Sequence, residues 1–228
     1  MVATSQPLAT QAGLEILHKG GNAADAAIAV AITLTVVECT NNGIGSDAFA
    51  LIWDNKSEKL YGLNASGKSP KSWNFEYFIK KYKKMPITGW DSVTVPGAVS
   101  GWFELSGRFG RLPFETLFQP AIKYAEKGFH VSPITAKLWK RVISKYKEFP
   151  DFRNNFTFQG RAPVVGEKIC FEDQANTLSE IARTRIHSFY RGRLADKIAA
   201  HAQSTGGFIT KDDLLDHHAE WVEPISIH

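Results

Sequence analysis

Two helical stretches open the chain. Gln11 to His18 reads as a short helix, and Gly20-Gly21 supplies its stop signal. Asn22 is placed to cap a second helix. Its body, ADAAIAVAITLTVV, is apolar on every face, the pattern of a helix buried on all sides. The rhythm then changes. NNGIGSD is a glycine turn, AFALIWD is strand-like, and Lys59 to Leu63 alternate apolar with polar after a turn at Asn55 to Ser57, which predicts a β-hairpin. Helical spacing returns at Phe75, Phe78, Ile79 and Tyr82, with lysines on the opposite face. SVTVPGAVSGWFEL predicts a strand or extended segment broken at Pro96-Gly97 and then a helix. Gln119 to Lys127 predicts another, with Pro120 near its start and Gly128 past its end. Leu138, Val142, Ile143 and Tyr146 form one more helical stripe. Pro150 to Pro163 reads as polar and irregular, and the chain from Asp173 onward as helical. Thr210 with Asp213 three positions on is close to a capping box.

Composition narrows the class without naming a chemistry. The 228 residues suit one domain, and residues 1–228 are expected to form one. The net charge of +4 is mild. Lysine clusters such as Lys80-Lys81 and Lys83-Lys84 read as solvated helix faces rather than a nucleic-acid stripe. The N-terminus shows no signal-peptide pattern, and the apolar run from Ala26 to Val37 is too short and too broken by threonine to span a membrane. Cys39 and Cys170 form neither a metal spacing nor a disulfide framework. A cytoplasmic protein with no membrane or nucleic-acid partner is expected.

Residues 62–69, GLNASGKS, match the phosphate-binding pattern G-x-x-x-x-G-K-[ST] letter for letter. The context contradicts it. Ser69 precedes Pro70, which pushes it away from helical geometry. The strand before the glycines is half-polar and is the second arm of a hairpin, whereas phosphate-loop strands are parallel and buried on both faces. Asp54, at the end of FALIWD, would lie on the other arm of the same hairpin. A nucleotide site is therefore rejected.

Other constellations are equally bare. No two of the seven histidines stand at H-E-x-x-H spacing, and His217 and His218, read as helical, would point apart. Asp212, Asp213 and Asp216 read as the acidic start of a helix. Ser100 lies in GAVSG, which is not a nucleophile elbow, and Cys39 reads as a small buried residue. No nucleophile, base, metal ligand or cofactor motif emerges.

Several segments together resemble the large subunit of the gamma-glutamyltransferase family, in order along nearly the whole chain. They are MVATSQPLATQAGLEILHKGGNAADAAIAVAITLTVVE, NNGIGSDAFALIWD, SVTVPGAVSGW, LPFETLFQPAIKYAEKGFHVSP and GGFITKDDLLDHHAEWVEPISI. The resemblance implies an α+β fold, the four-layer α-β-β-α sandwich of N-terminal-nucleophile hydrolases, of which this chain is the helix-rich large-subunit part. It implies a precursor that cuts itself before a threonine. That threonine then opens the small subunit and serves as nucleophile, its own α-amine helping to take its proton. The catalytic threonine would lie beyond His228. Residues 1–228 alone are then inactive, and their partners are their own C-terminal small subunit and a small-molecule amide. A homo-oligomer is compatible with this reading.

The family's substrate loop reads N-A-R-E-x-A-P, and its arginine binds the α-carboxylate of the glutamyl donor. Here the loop reads Asn64-Ala65-Ser66-Gly67-Lys68-Ser69-Pro70. Ser66 cannot make a bidentate grip on a carboxylate. Lys68 either supplies the charge from another direction or is a solvated loop lysine. Ser66 and Lys68 are the candidate substrate-binding residues. The expected donors are gamma-glutamyl amides held in another way, or dicarboxylic mono-amides of the oxamate or glutaryl type. A non-catalytic scaffold relative is the alternative.

Overall fold

The computed structural model describes residues 1–227. In chain order the elements are α1 (Pro7–His18), α2 (Ala23–Val37), β1 (Ala48–Asp54), β2 (Lys59–Ala65), α3 (Phe75–Lys81), α4 (Ala98–Phe109), α5 (Gln119–Lys127), β3 (Phe129–His130), α6 (Pro133–Tyr146), α7 (Pro150–Phe156), β4 (Lys168–Ile169), α8 (Glu172–Thr184), α9 (His187–Tyr190), α10 (Arg193–Ser204), α11 (Lys211–Leu215) and β5 (Glu220–Val222). The chain divides into two compact units. One joins Met1–Gly43 to Arg111–Ser179, and the other joins Ile44–Gly110 to the residues from Glu180 onward.

The first unit is built around α2. Its residues Ile28, Ala29, Ile32, Val36 and Val37 are excluded from solvent, as a helix without a polar face requires. Each fully buried branched side chain contributes roughly 1.5–3 kcal/mol. α1 packs on α2 closely because Gly13 has no side chain: a Cβ there would sit 2.8 Å from both Val2 and Val30. α1 starts earlier than the sequence pattern indicated. Gln6 caps it, its side chain accepting from Leu8 N and Ala9 N, and Pro7 takes the first turn.

Asn22 and Asp25 form a full capping box at the start of α2. Asp25 is 0% exposed, yet its carboxylate is satisfied. It accepts from Asn22 N at 3.0 Å, Arg111 N at 3.0 Å and Leu112 N at 3.3 Å. The helix dipole adds to these donors. One buried carboxylate therefore fastens the α1–α2 corner to the start of the segment at Arg111.

One expectation fails in this unit. Residues 150–163 are not wholly irregular: α7 occupies Pro150–Phe156, with Pro150 in its first turn. Its Phe152 and Phe156 stack 5.3 Å apart, one helical turn from each other, and the Phe156 carbonyl accepts from Trp139 Nε1 at 2.8 Å. The stripe from Leu138 to Tyr146 lies on α6, as expected. Trp139, stacked on Phe171, is fully buried, whereas Leu138, Val142, Ile143 and Tyr146 are half-buried.

In the second unit β1 and β2 form the expected hairpin, paired from Ala48 with Ala65 to Asp54 with Lys59. Asp54 shapes the turn by accepting from Lys56 N and Ser57 N, both at 3.2 Å. A third strand was not expected. β5 pairs antiparallel with β2, Gly62 opposite Val222, in a segment read as helical; the sheet order is β1-β2-β5. The Arg108 guanidinium holds it there, lying over Tyr61 at 4.3 Å and over Trp221 of β5 at 4.4 Å. α4 packs against this sheet. A Cβ on Gly101 would lie 2.8 Å from the Ala65 Cβ and 3.3 Å from that of Ala48. α3 is helical as expected but buries none of its residues; Tyr77 and Lys81 of this helix, with Tyr82 just past it, converge on the buried Asp91 carboxylate.

On β1 the side chains of Phe49, Leu51 and Trp53 share one face and are 69%, 70% and 59% exposed. Such a row on an edge strand favours association. Replacing all three by threonine, which keeps strand propensity, is expected to lower binding of an apolar dye to the 228-residue chain and to suppress its concentration-dependent self-association in sedimentation runs. Asp25→Ala is expected to cost about 3 kcal/mol in urea unfolding, because three N–H groups lose their buried acceptor; Asp25→Asn should recover part of it.

Candidate substrate loop

The loop begins where β2 ends. Asn64 Oδ1 accepts from Ser66 N at 3.0 Å, a local turn that bends the chain out of the sheet. Gly67 N donates to Asp47 Oδ1 at 2.7 Å. Lys68 O accepts from Val95 N at 3.0 Å. Beyond the buried Pro70, Lys71 N donates to Asp213 Oδ1 at 2.9 Å. The Asp213 carboxyl lies below the usual range: burial alone would raise it, and the N–H of Lys71 and the groups of Thr210 overcome that. Asp213 belongs to the expected capping box with Thr210.

The loop touches the Val95-Pro96-Gly97 segment backbone to backbone. A Cβ on Gly67 would fall 1.6 Å from Val95 O, and one on Gly97 would fall 2.1 Å from Ala65 O. No side chain fits at either position. Gly97 N and Ala98 N also donate to Ser46 O, at 3.0 and 2.8 Å. Residues 46–47, 65–68 and 95–98 are thus one laced surface.

The two candidate residues have different surroundings. Ser66 is half-buried at the turn. Lys68 is exposed, and its Nζ lies 3.3 Å from Glu220 Oε1, which also lies 3.7 Å from His218 Nε2. With about half of each side chain in water, the Lys68–Glu220 pair is weak, so Lys68 is free to exchange partners. Residues 62–69 do not form a phosphate loop. β2 is antiparallel to both neighbours, and the next helix begins only at Phe75.

His217 and His218 are not helical. They follow α11 in irregular chain, and they diverge: His218 is exposed while His217 turns inward. There Ser100 Oγ lies 2.9 Å from His217 Nε2, and the His217 ring stacks on Tyr190 with centroids 5.2 Å apart. Beside them is a cleft of about 270 Å³, with Glu104, Arg185, His187 and Arg191 among its walls. Burial, then the charges of His218 and Lys68, hold the His217 imidazole below its ordinary range. Sequence reasoning missed Asp47, Glu220 and this trio; the glycines of SGK and VPG were the available signal. Cys39, whose thiol burial pushes up to about 12, is inert as a nucleophile at neutral pH. His228 lies outside the described residues.

Comparison with known proteins follows the same lines. The chain is 50% identical to a cephalosporin acylase from Bacillus halodurans, with a TM-score of 0.94 covering 99% of this chain and 43% of that one. It is 37% identical over 227 residues to the glutathione hydrolase-like YwrD proenzyme of Bacillus subtilis (strain 168), covering 99% of this chain and 43% of the relative. It is 34% identical over 238 positions to the oxamate amidohydrolase proenzyme of Klebsiella pneumoniae subsp. pneumoniae, covering 100% of this chain and 44% of the relative. The chain spans less than half the length of each of these three proteins. Its fold is the helix-rich large-subunit part of the α+β, four-layer N-terminal-nucleophile hydrolase sandwich. No described helix is long and apolar enough to cross a membrane. The family model for gamma-glutamyltranspeptidase matches residues 9–228, and the chain belongs to that family.

Proposed function

We propose that residues 1–228 are the large-subunit part of a self-processing amidohydrolase or acyltransferase. Its nucleophile is an N-terminal threonine outside these residues. An acyl-enzyme forms on that threonine and passes to water or an amine. By themselves residues 1–228 are inactive. Three relatives named as proenzymes or acylases, each more than twice as long, support a partner segment that completes the site. Unpaired Cys39 and Cys170 agree with a cytoplasmic setting.

The observation that carries the substrate assignment is the loop itself. Where the resemblance implies arginine stands Ser66, and the nearest cation of the loop is Lys68, which pairs with Glu220. A lysine offers a point charge rather than a fork. It suits a carboxylate approaching from the β5 side and does not select the α-amino-acid head of a glutamyl donor. Dicarboxylic mono-amides of the oxamate or glutaryl type fit this better than glutathione. Similar proteins are named for oxamate and for cephalosporins.

Intact mass of the protein made from its complete reading frame is expected to show two fragments, the smaller beginning with threonine. One uncut chain, stable over days, overturns the enzymatic reading. Against a panel of oxamate, glutaryl and gamma-glutamyl amides, Lys68→Ala is expected to lower kcat/KM about tenfold on the preferred donor, equivalent to about 1.4 kcal/mol. Ser66→Arg should shift preference toward gamma-glutamyl amides.

A further inference from the structure

Tyr190 and Ser100 bond the turn that supports the loop, and His217 bonds Ser100. Tyr190 O–H donates to Pro96 O at 2.7 Å and accepts from Ser100 N at 3.1 Å. Ser100 Oγ donates to Gly97 O at 2.7 Å. A serine hydroxyl has one proton, so the His217 Nε2 at 2.9 Å must be the donor to Ser100 Oγ. The order of donation is therefore fixed, from His217 Nε2–H to Ser100 Oγ–H to the Gly97 carbonyl. Ser100 and His217 are only 4% and 8% exposed, so these bonds are largely shielded from solvent.

Pro96 and Gly97 cannot move without moving the loop. The Gly97 Cα stands against Ala65 O, Gly67 stands against Val95 O, and Val95 N holds Lys68 O. We propose that Tyr190, Ser100 and His217 are positioning residues that act through the Pro96–Gly97 turn to hold residues 65–68 in substrate-binding geometry. This rests on the reading of that loop as the donor site.

The arrangement has a protonation requirement. With Nε2 donating, His217 Nδ1 carries a lone pair, and among the described residues it is buried without a partner. An imidazolium would place a second N–H there with no acceptor, at the cost of an unsatisfied buried donor. The groups that act on the ring from neighbouring segments are His218 and Lys68, which oppose its charge, and Asp47 and Glu220, which favour it. Tyr190 stacks on it, and Glu104, Arg185, His187 and Arg191 line the adjoining cleft. Burial is the largest influence, and it favours the neutral ring. A folded-state value below the unfolded one means the stabilisation is present above about pH 6.5 and is lost as pH falls through the lower folded value.

The test is amide hydrogen exchange on the full-length protein, read at Gly67 and Val95 and, as a reference, in α2. Tyr190→Phe is expected to accelerate exchange at Gly67 and Val95 about tenfold with α2 unchanged. It should also raise KM for the processed donor about tenfold while kcat changes less than about twofold. In the wild type the same loop amides, corrected for intrinsic rates, should speed up below about pH 6.5; in His217→Gln, which keeps a donor but does not titrate, they should not. Loop and α2 amides accelerating together, or kcat falling with KM unchanged, means only fewer folded molecules and overturns the proposal. A wild-type loop whose exchange shows no such pH dependence overturns it as well. If Lys68→Ala leaves KM unchanged on every donor, the substrate-loop reading fails instead, while the exchange data still decide the clamp.

Discussion

Two carbonyl oxygens occupy the space of missing side chains, and the geometry of the second unit depends on it. Ala65 O fills the place of a Gly97 Cβ, and Val95 O fills that of Gly67. Any larger residue would drive the β2 end and the Val95–Gly97 turn apart by ångströms. The hydrogen bonds from Gly67 N to Asp47 and from Val95 N to Lys68 O exist only at this approach. α4 starts at Ala98, so the same contact sets where that helix lies on the sheet. Glycine is used here for its size rather than for its freedom at positive φ.

From that contact the chemistry of the loop follows. The laced backbone fixes where the side chains of Ser66 and Lys68 leave the chain. Lys68 is the cation of this loop, and its Nζ lies 3.3 Å from Glu220 on β5. That strand is fixed in turn by Arg108 between two aromatic rings. A remote packing contact on α4 thus reaches the loop at Lys68 through one strand.

Local devices were legible in the sequence. The Asn22–Asp25 box, the Gly20 stop, the Thr210–Asp213 box and the 48–65 hairpin each need only neighbours a few positions away. What escaped depends on distant partners. Three residues, Glu220 to Val222, are too few to show a period of two, and they become a strand only because β2 offers its edge. α7 was masked by polar residues, although Phe152 and Phe156 stand one helical turn apart. Ser100 was measured against a nucleophile elbow and set aside; its role is defined by Tyr190 and His217, which no local spacing connects to it.

Each compact unit is assembled from two separated stretches of chain, interleaved along the sequence. During synthesis neither can close early. The α2 corner must wait for the Arg111 amide that its Asp25 accepts, while residues 44–110 emerge in between without β5, Tyr190 or His217. Ribosomal order and folding order therefore conflict. The hairpin with its apolar β1 face is exposed for the longest time, and such long-range closures fold slowly and aggregate readily. Late closure of both units is a physical consequence of this interleaving, separate from the stability of the finished protein.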